Sequence, residues 1–187
     1  MKTIGFTASS RRRGNTAWVV ERILEGARKR GSETRSWHYS ELSLQPCCGC
    51  LACKKGDREC VIKDDMGRLH EDIAHADALI LGSPVYMGQM SAQAKIFTDR
   101  LHVLFSPRFS PYFKERSAPM KLILAFTQGN PDTELFRPYY DYTKKCFQLL
   151  EFDVKDVVVV AGTRSEQARE QVGLEAAMKK IGSILVS

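Results

Sequence analysis

Cys47, Cys50, Cys53 and Cys60 stand in a C-x2-C-x2-C-x6-C spacing, with Cys48 inserted beside the first. Thiolates are soft ligands, and four of them in so short a stretch can surround a cubane iron-sulfur cluster, each iron taking one cysteine. Structural zinc more often uses two separated C-x2-C knuckles, so the spacing favours the cluster. Zinc, a redox disulfide from overlapping C-x-x-C pairs, or four reduced thiols would use the same residues. Cys48 has no assigned role, and Cys146, on the apolar face of a helical stretch, reads as a small buried hydrophobe.

A second group runs Ser9-Ser10-Arg11-Arg12-Arg13-Gly14-Asn15-Thr16. Hydroxyls, an amide and guanidinium groups precede a helix whose free N–H groups and dipole favour an anion, so a phosphate would be well held there. An N-cap with a solvated basic loop accounts for the same residues equally well. The spacing matches neither G-x-G-x-x-G nor G-x-x-x-x-G-K-[ST], which disfavours a dinucleotide Rossmann site and a P-loop. Gly82-Ser83-Pro84-Val85-Tyr86-Met87-Gly88 follows an apolar run and offers backbone amides beside an aromatic ring and a thioether, against which a flat heteroaromatic ring can rest; taken alone, the segment reads rather as a loop whose Tyr86 and Met87 pack on their own domain. Thr127-Gln128-Gly129 is a similar but weaker signal, since a glycine after a strand is often a turn. His38, His70, His75 and His102 show no ligand or triad spacing and read as surface or helix-face residues, and no catalytic acid or base is assigned.

These segments need elements to hold them. Met1–Ala8 reads as a strand, and Ala17, Val20, Leu24 and Ala27 mark a helix that stops near Gly31 after two basic residues. Glu33–Tyr39 is a second strand, and residues 40–63 form a long cysteine-rich loop without periodicity. Asp64-Asp65 offers an N-cap to a helix carrying Leu69, Ile73 and Ala76. Ala78–Leu81 is an apolar third strand ending in a Gly82-Ser83-Pro84 loop, followed by a helix over Ala92–Phe105. Ser106–Pro119 is an aromatic connection whose Phe109, Tyr112 and Phe113, with Phe105, can supply interface surface. Lys121–Phe126 and Asp156–Ala161 are the fourth and fifth strands, with a helix over Pro138–Leu150 between them and a last helix striped by Leu174, Ala177, Met178, Ile181 and Leu185. Strands alternating with helices predict an α/β protein with a doubly wound, flavodoxin-like parallel sheet of five strands, order 2-1-3-4-5, helices on both faces, and ligands beyond the carboxyl ends of the strands.

The 187 residues, 43% of them hydrophobic and 27% charged, suit one domain spanning 1–187. No apolar run approaches the roughly 20 residues needed to span a bilayer, and the first residues lack the pattern of an export signal, so a cytoplasmic protein is expected. The net charge of +6 suits any anionic ligand or partner. A nucleic-acid or regulatory module is a distant alternative, because the arginines cluster in the loop before the first helix and no recognition helix or base-stacking pattern stands out.

In combination, Ser9-Ser10-Arg11 with Gly14-Asn15-Thr16, the cysteine loop closing on Asp64-Asp65-Met66, Gly82 to Tyr86, and Ala94-Lys95 through Asp99-Arg100 resemble the NAD(P)H-dependent FMN reductase group of flavodoxin-like proteins, and within it the iron-sulfur flavoproteins. The resemblance covers nearly the whole chain. It implies an FMN with its phosphate among Ser9, Arg11, Gly14, Asn15 and Thr16, and its ring against Pro84, Val85, Tyr86, Met87 and Gly88, flanked by Thr127, Gln128 and Gly129. It also implies a 4Fe-4S cluster on Cys47, Cys50, Cys53 and Cys60, with NAD(P)H or a ferredoxin-like protein as electron donor, a small-molecule acceptor, and a homodimer or homotetramer. The chain departs from the pattern in three places: Ala8-Ser9-Ser10 stands where Gly-Ser-Pro is usual, Cys48 is added, and the loop after the fourth strand carries one glycine. Without the cluster, the resemblance implies an NAD(P)H-dependent FMN or quinone reductase.

Overall fold

Apolar residues that alternate along the strands divide between two cores, one on each face of a single sheet. The computed structural model describes residues 1–56, 58–106 and 117–186. Its strands are β1 (Lys2–Thr7), β2 (Glu33–His38), β3 (Ala78–Tyr86), β4 (Gln89–Met90), β5 (Lys121–Thr127) and β6 (Asp153–Val160). The helices are α1 (Asn15–Lys29), α2 (Met66–Ala74), α3 (Ala92–Arg100), α4 (Arg137–Leu149) and α5 (Leu174–Ser183). Ile4, Phe6, Leu79, Leu81, Leu122, Leu124 and Phe126 join a core with Leu69, Ile73, Phe97 and Phe147 from α2, α3 and α4. Ala78, Ile80, Ile123, Ala125 and Val158 face the other way and meet Val19, Val20, Ile23 and Leu24 of α1 and Met178 of α5. A strand buried on both faces reads as a continuous apolar run, and the period of two sorts its residues between the layers.

The strands pair in the order β2-β1-β3-β5-β6, all parallel, which is the doubly wound 2-1-3-4-5 order. The sixth strand was not anticipated: β4 is a two-residue strand antiparallel to the end of β3. Gly82-Ser83-Pro84 is also strand rather than loop. Gly82 sits in β3 because a Cβ there would lie 2.3 Å from a methyl of Val20, so its absence lets α1 press on the sheet. Pro84 falls past the last pair with β1, Thr7↔Gly82, near the strand end where a residue lacking an N–H is tolerated. The strand then turns at Met87 and Gly88, both at positive φ (50° and 76°), between the paired Tyr86 and Gln89. Positive φ at both central residues is what a two-residue hairpin matching strand twist requires.

β6 begins three residues before its apolar run because of an irregular register. Leu122 pairs with Val154 but Ile123 with Asp156, leaving Lys155 as an extra residue that interrupts the alternation. The helix expected over Ala92–Phe105 is α-helical only to Arg100 and tightens to a 3-10 turn over Leu101–Phe105. The aromatic residues Phe109, Tyr112 and Phe113 lie outside the described residues. Among the described residues, no helix is long and apolar enough to cross a membrane.

Candidate functional site

Where β1, β3, β5 and β6 end at their carboxyl edge, the following loops enclose a cleft of about 430 Å³, within the range of small-molecule sites. Ser9, Arg11, Gly14, Asn15, Thr16, Pro84, Val85, Tyr86, Thr127 and Gly129 line it, joined by Thr163 and Arg164. Thus ten of the thirteen residues expected from the three segments meet in one place.

Its anion end is built by α1. The helix begins after Gly14, which has no side chain to cap it, and no acidic residue occupies its first turn. Its leading N–H groups therefore face the cleft without a side-chain acceptor, beside Arg11. The Arg11 N–H donates to the Ser9 hydroxyl at 3.1 Å, and the Gly14 N–H to the Arg11 carbonyl at 3.1 Å, which curls the loop over the helix start. At the floor, the hydroxyls of Thr16 and Thr127 share a buried hydrogen bond of 2.7 Å that joins α1 to β5. An uncapped helix start, a guanidinium and an aromatic wall at Tyr86, itself half-exposed, fit a phosphate-bearing aromatic cofactor such as FMN.

Three expected residues do not line the cleft. Met87 is wholly exposed at the hairpin tip, and Gly88 faces the Phe136 ring. Gln128 is buried, and its amide donates to the carbonyls of Asn130 and Asp132 and accepts from the Tyr140 hydroxyl, so it braces the loop. Burial pushes the Tyr140 hydroxyl up to about 12, which keeps it a donor. Asn15 has a bracing role as well. Its side chain donates to the Thr163 carbonyl at 3.4 Å and accepts from the Ala168 N–H at 3.0 Å, tying the loop after β6 to the start of α1. Thr163 and Arg164 follow β6 in a mixed polar stretch, Gly162-Thr163-Arg164-Ser165-Glu166, whose spacing matches no ligand-binding pattern; proximity to a strand's carboxyl end was the available signal.

The cysteine loop lies apart from the lining of this cleft. Cys47, Cys48 and Cys50 are exposed, Cys53 and Cys60 half-buried, and all are free thiols. Among the described residues, no three histidine, cysteine or acidic groups stand close enough to hold one metal ion. The donor chemistry nonetheless suits a cluster. Leu51, Gly49 and Gly56 adopt positive φ, turning the loop sharply, and the Gly49 N–H approaches the Cys47 sulfur at 3.5 Å. A hydrogen bond from the Ala52 backbone and one from Cys48 hold the Cys50 thiol below its ordinary pKa, while burial raises that of Cys53. Cys146 is half-buried.

Asp64, expected as a helix cap, accepts from the first N–H of α2 and also closes the cysteine loop. Its carboxylate accepts two hydrogen bonds from Arg100 at 2.8 and 3.0 Å and one from the Gln45 N–H at 2.8 Å, besides the Met66 N–H at 3.1 Å. Arg100 also donates to the Gln45 carbonyl at 2.8 Å. Both side chains of the pair are 2% exposed. Burial works against the Asp64 charge, but the Arg100 and backbone hydrogen bonds outweigh it and hold the carboxyl below its ordinary value. His70 lies on the buried face of α2, with Nε2 at 2.9 Å from the Arg100 carbonyl. Burial lowers its pKa to about 4, so the ring is neutral near pH 7, and Nε2 must carry the proton because a carbonyl only accepts. His38 is buried too, and desolvation likewise lowers its pKa.

The parallel order, the carboxyl-edge cleft and the exposed helix start define a flavodoxin-like doubly wound protein. The model of the NADPH-dependent FMN reductase family matches residues 1–129, and the chain belongs to that family. It is 41% identical over 100 residues to an iron-sulfur flavoprotein of Methanocaldococcus jannaschii, covering 54% of this chain and 51% of the relative. It is 38% identical over 110 residues to the iron-sulfur flavoprotein of Methanosarcina thermophila, covering 59% and 57%. The chain thus spans about half the length of these curated relatives. An NAD(P)H:quinone oxidoreductase from Methanothermobacter marburgensis superposes with a TM-score of 0.70 at 17% identity, over 99% of this chain and 98% of that one, and so shares its fold.

Proposed function

We propose that this chain is one FMN-binding domain and acts as a flavin-dependent oxidoreductase of the iron-sulfur flavoprotein kind. It would pass electrons from a reduced donor, ferredoxin-like or NAD(P)H, to a small acceptor in a reducing, cytoplasmic setting. The observation that carries the reading is the cleft at the carboxyl edge, where the uncapped start of α1 and Arg11 face Tyr86. Ser9, Arg11, Gly14 and the first N–H groups of α1 would bind the phosphate. Pro84, Val85 and Tyr86 would hold one side of the ring, with Thr127, Gly129, Thr163 and Arg164 on the other. A bound flavin accepts electrons as a pair and releases them singly or in pairs, and the protein's contribution is to position it and exclude side reactions. Cys47, Cys50, Cys53 and Cys60 would ligate a 4Fe-4S cluster, a one-electron carrier. The relatives' printed names and the four-thiol spacing support this, and its assembly requires the loop to draw the sulfurs together. Because the cysteine loop is separate from the cleft lining, a second subunit bringing its own loop to the flavin accounts for the homodimer or homotetramer in this reading.

The test is an absorption spectrum of protein purified without oxygen, before and after a stoichiometric reductant, with iron counted on the same sample. Two flavin bands on a broad thiolate-to-iron shoulder are expected. Flavin without iron assigns the chain to a cluster-free NAD(P)H-dependent FMN or quinone reductase. No flavin after adding FMN overturns the reading.

A further inference from the structure

Arg100 is a deeply buried charge beside the cysteine loop, and its Nε donor has no partner among the described residues. Its two terminal nitrogens are spent on Asp64 and the Gln45 carbonyl, whereas Nε–H is buried with no acceptor among the described residues. A buried donor left unpaired costs about 1–3 kcal/mol, more on a charged group, so folded proteins rarely leave one without a use. Three facts place that donor. Arg100 ends α3, its side chain is 98% enclosed, and it grips both Gln45, two residues before Cys47, and Asp64, four after Cys60. Burial disfavours its charge, but the hydrogen bond to the Asp64 carboxylate and the charge of that group oppose this, and its pKa is raised. The two ends of the cysteine motif are therefore tied to one fixed guanidinium, through Gln45 and Asp64.

We propose that Arg100 is a positioning residue for the cluster. Through Asp64 and Gln45 it clamps both ends of the cysteine loop, and its free Nε–H donates to a sulfur of the assembled centre, raising the cluster's reduction potential. The proposal rests on the iron-sulfur reading above. Reduction adds one electron beside an N–H donor, which favours the reduced form in a low-dielectric setting, while the guanidinium charge itself is largely offset by the Asp64 carboxylate. A plain structural clamp would hold the loop without moving the potential.

The experiment uses anaerobically reconstituted holoprotein titrated with dithionite, following the cluster by electron paramagnetic resonance and the flavin by absorbance. Arg100→Lys keeps the charge but has no Nε–H in that place. Its cluster midpoint is expected to fall by about tenfold in the reduction equilibrium, about 59 mV for one electron, with the iron count and flavin midpoint unchanged. The neutral pair Arg100→Gln with Asp64→Asn, which removes the Nε–H donor without changing the net charge, is expected to fall by a similar amount. A cluster midpoint that stays, or that moves together with the flavin's, overturns the proposal. A measurement on the unsubstituted chain guards against variants that fail to fold. With guanidino-15N arginine incorporated, the reduced cluster should show a 15N coupling in pulsed resonance that persists in Arg58→Lys, and its absence overturns the proposal. Wild-type protein that holds no iron overturns the iron-sulfur reading itself, and this role with it, whereas iron bound normally beside an unmoved midpoint overturns the role alone.

Discussion

His70 couples folding to pH in a window that carboxylates alone do not cover. Its ring is neutral in the fold, with a pKa lowered by burial to about 4 against 6.5 when unfolded. The unfolded chain takes up the proton first as the pH drops, so the stabilisation is complete above about pH 6.5 and is lost as the pH falls through about 4. The full loss is on the order of 3 kcal/mol. Urea unfolding at pH 7 and pH 5 should show a clear drop for the wild type and a smaller one for His70→Gln. Parallel pH dependence in both would mean the ring titrates normally. At the cleft, Arg11→Ala should weaken FMN by roughly 10- to 100-fold, the scale of one charged hydrogen bond. Riboflavin, which lacks the phosphate, should bind nearly as before; equal losses by calorimetry would place the phosphate elsewhere. Residues singled out by type and context, such as Ser9, Arg11 and Thr16, line the cleft, whereas some neighbours in sequence part in space: Met87 and Gly88 leave the cleft because the chain reverses there, and Gln128 turns inward while Thr127 and Gly129 stay at the wall.

Elements are set by close approaches that single letters hint at only weakly. Gly26 and Gly182 let α1 and α5 touch backbone to backbone. A Cβ on Gly26 would lie 2.0 Å from the Lys179 carbonyl oxygen, and one on Gly182 would lie 1.8 Å from that of Ile23. Neither neighbour is a side chain that can swing away, so the helices must separate. Gly182→Ala, despite its better helix propensity, should cost about 1–3 kcal/mol, read as a lower urea midpoint at unchanged slope. A neutral or stabilising result would show that the two helices slide freely. The same contact logic explains how β3 was shortened in the sequence reading. Glycine and proline signal a turn locally, yet Gly82 is there for the helix above it and Pro84 for the strand's end. Periodicity identified the strands and helices well because each buries a regular face, whereas the bulge at Lys155 depends on a pairing partner far along the chain and the two-residue β4 is too short to show a period.

At the scale of the whole molecule, the cleft is a joint between segments from both ends of the family match and beyond it. Asn15 holds Thr163 and Ala168, Thr163 donates its N–H and hydroxyl to the Gln128 carbonyl, and Gln128 anchors the turn to Tyr140 of α4. The loop after β6 thus reaches the anion end through side-chain clips, which is why spacing could point to the loop before α1 but not to Thr163 and Arg164. A ligand seated across this joint stabilises every element that contributes to it. FMN at a free concentration of 100 times its Kd should add about 2.7 kcal/mol. For a chain of this length that is a rise in Tm of about 5–10 °C. Asn15→Ala cuts the clip without touching either core, so it should fold, bind FMN more weakly, and show a smaller rise at the same FMN concentration. If Asn15→Ala gained as many degrees as the wild type, the loop after β6 would have no part in holding the cofactor, and the site would reduce to the segments that follow β1, β3 and β5.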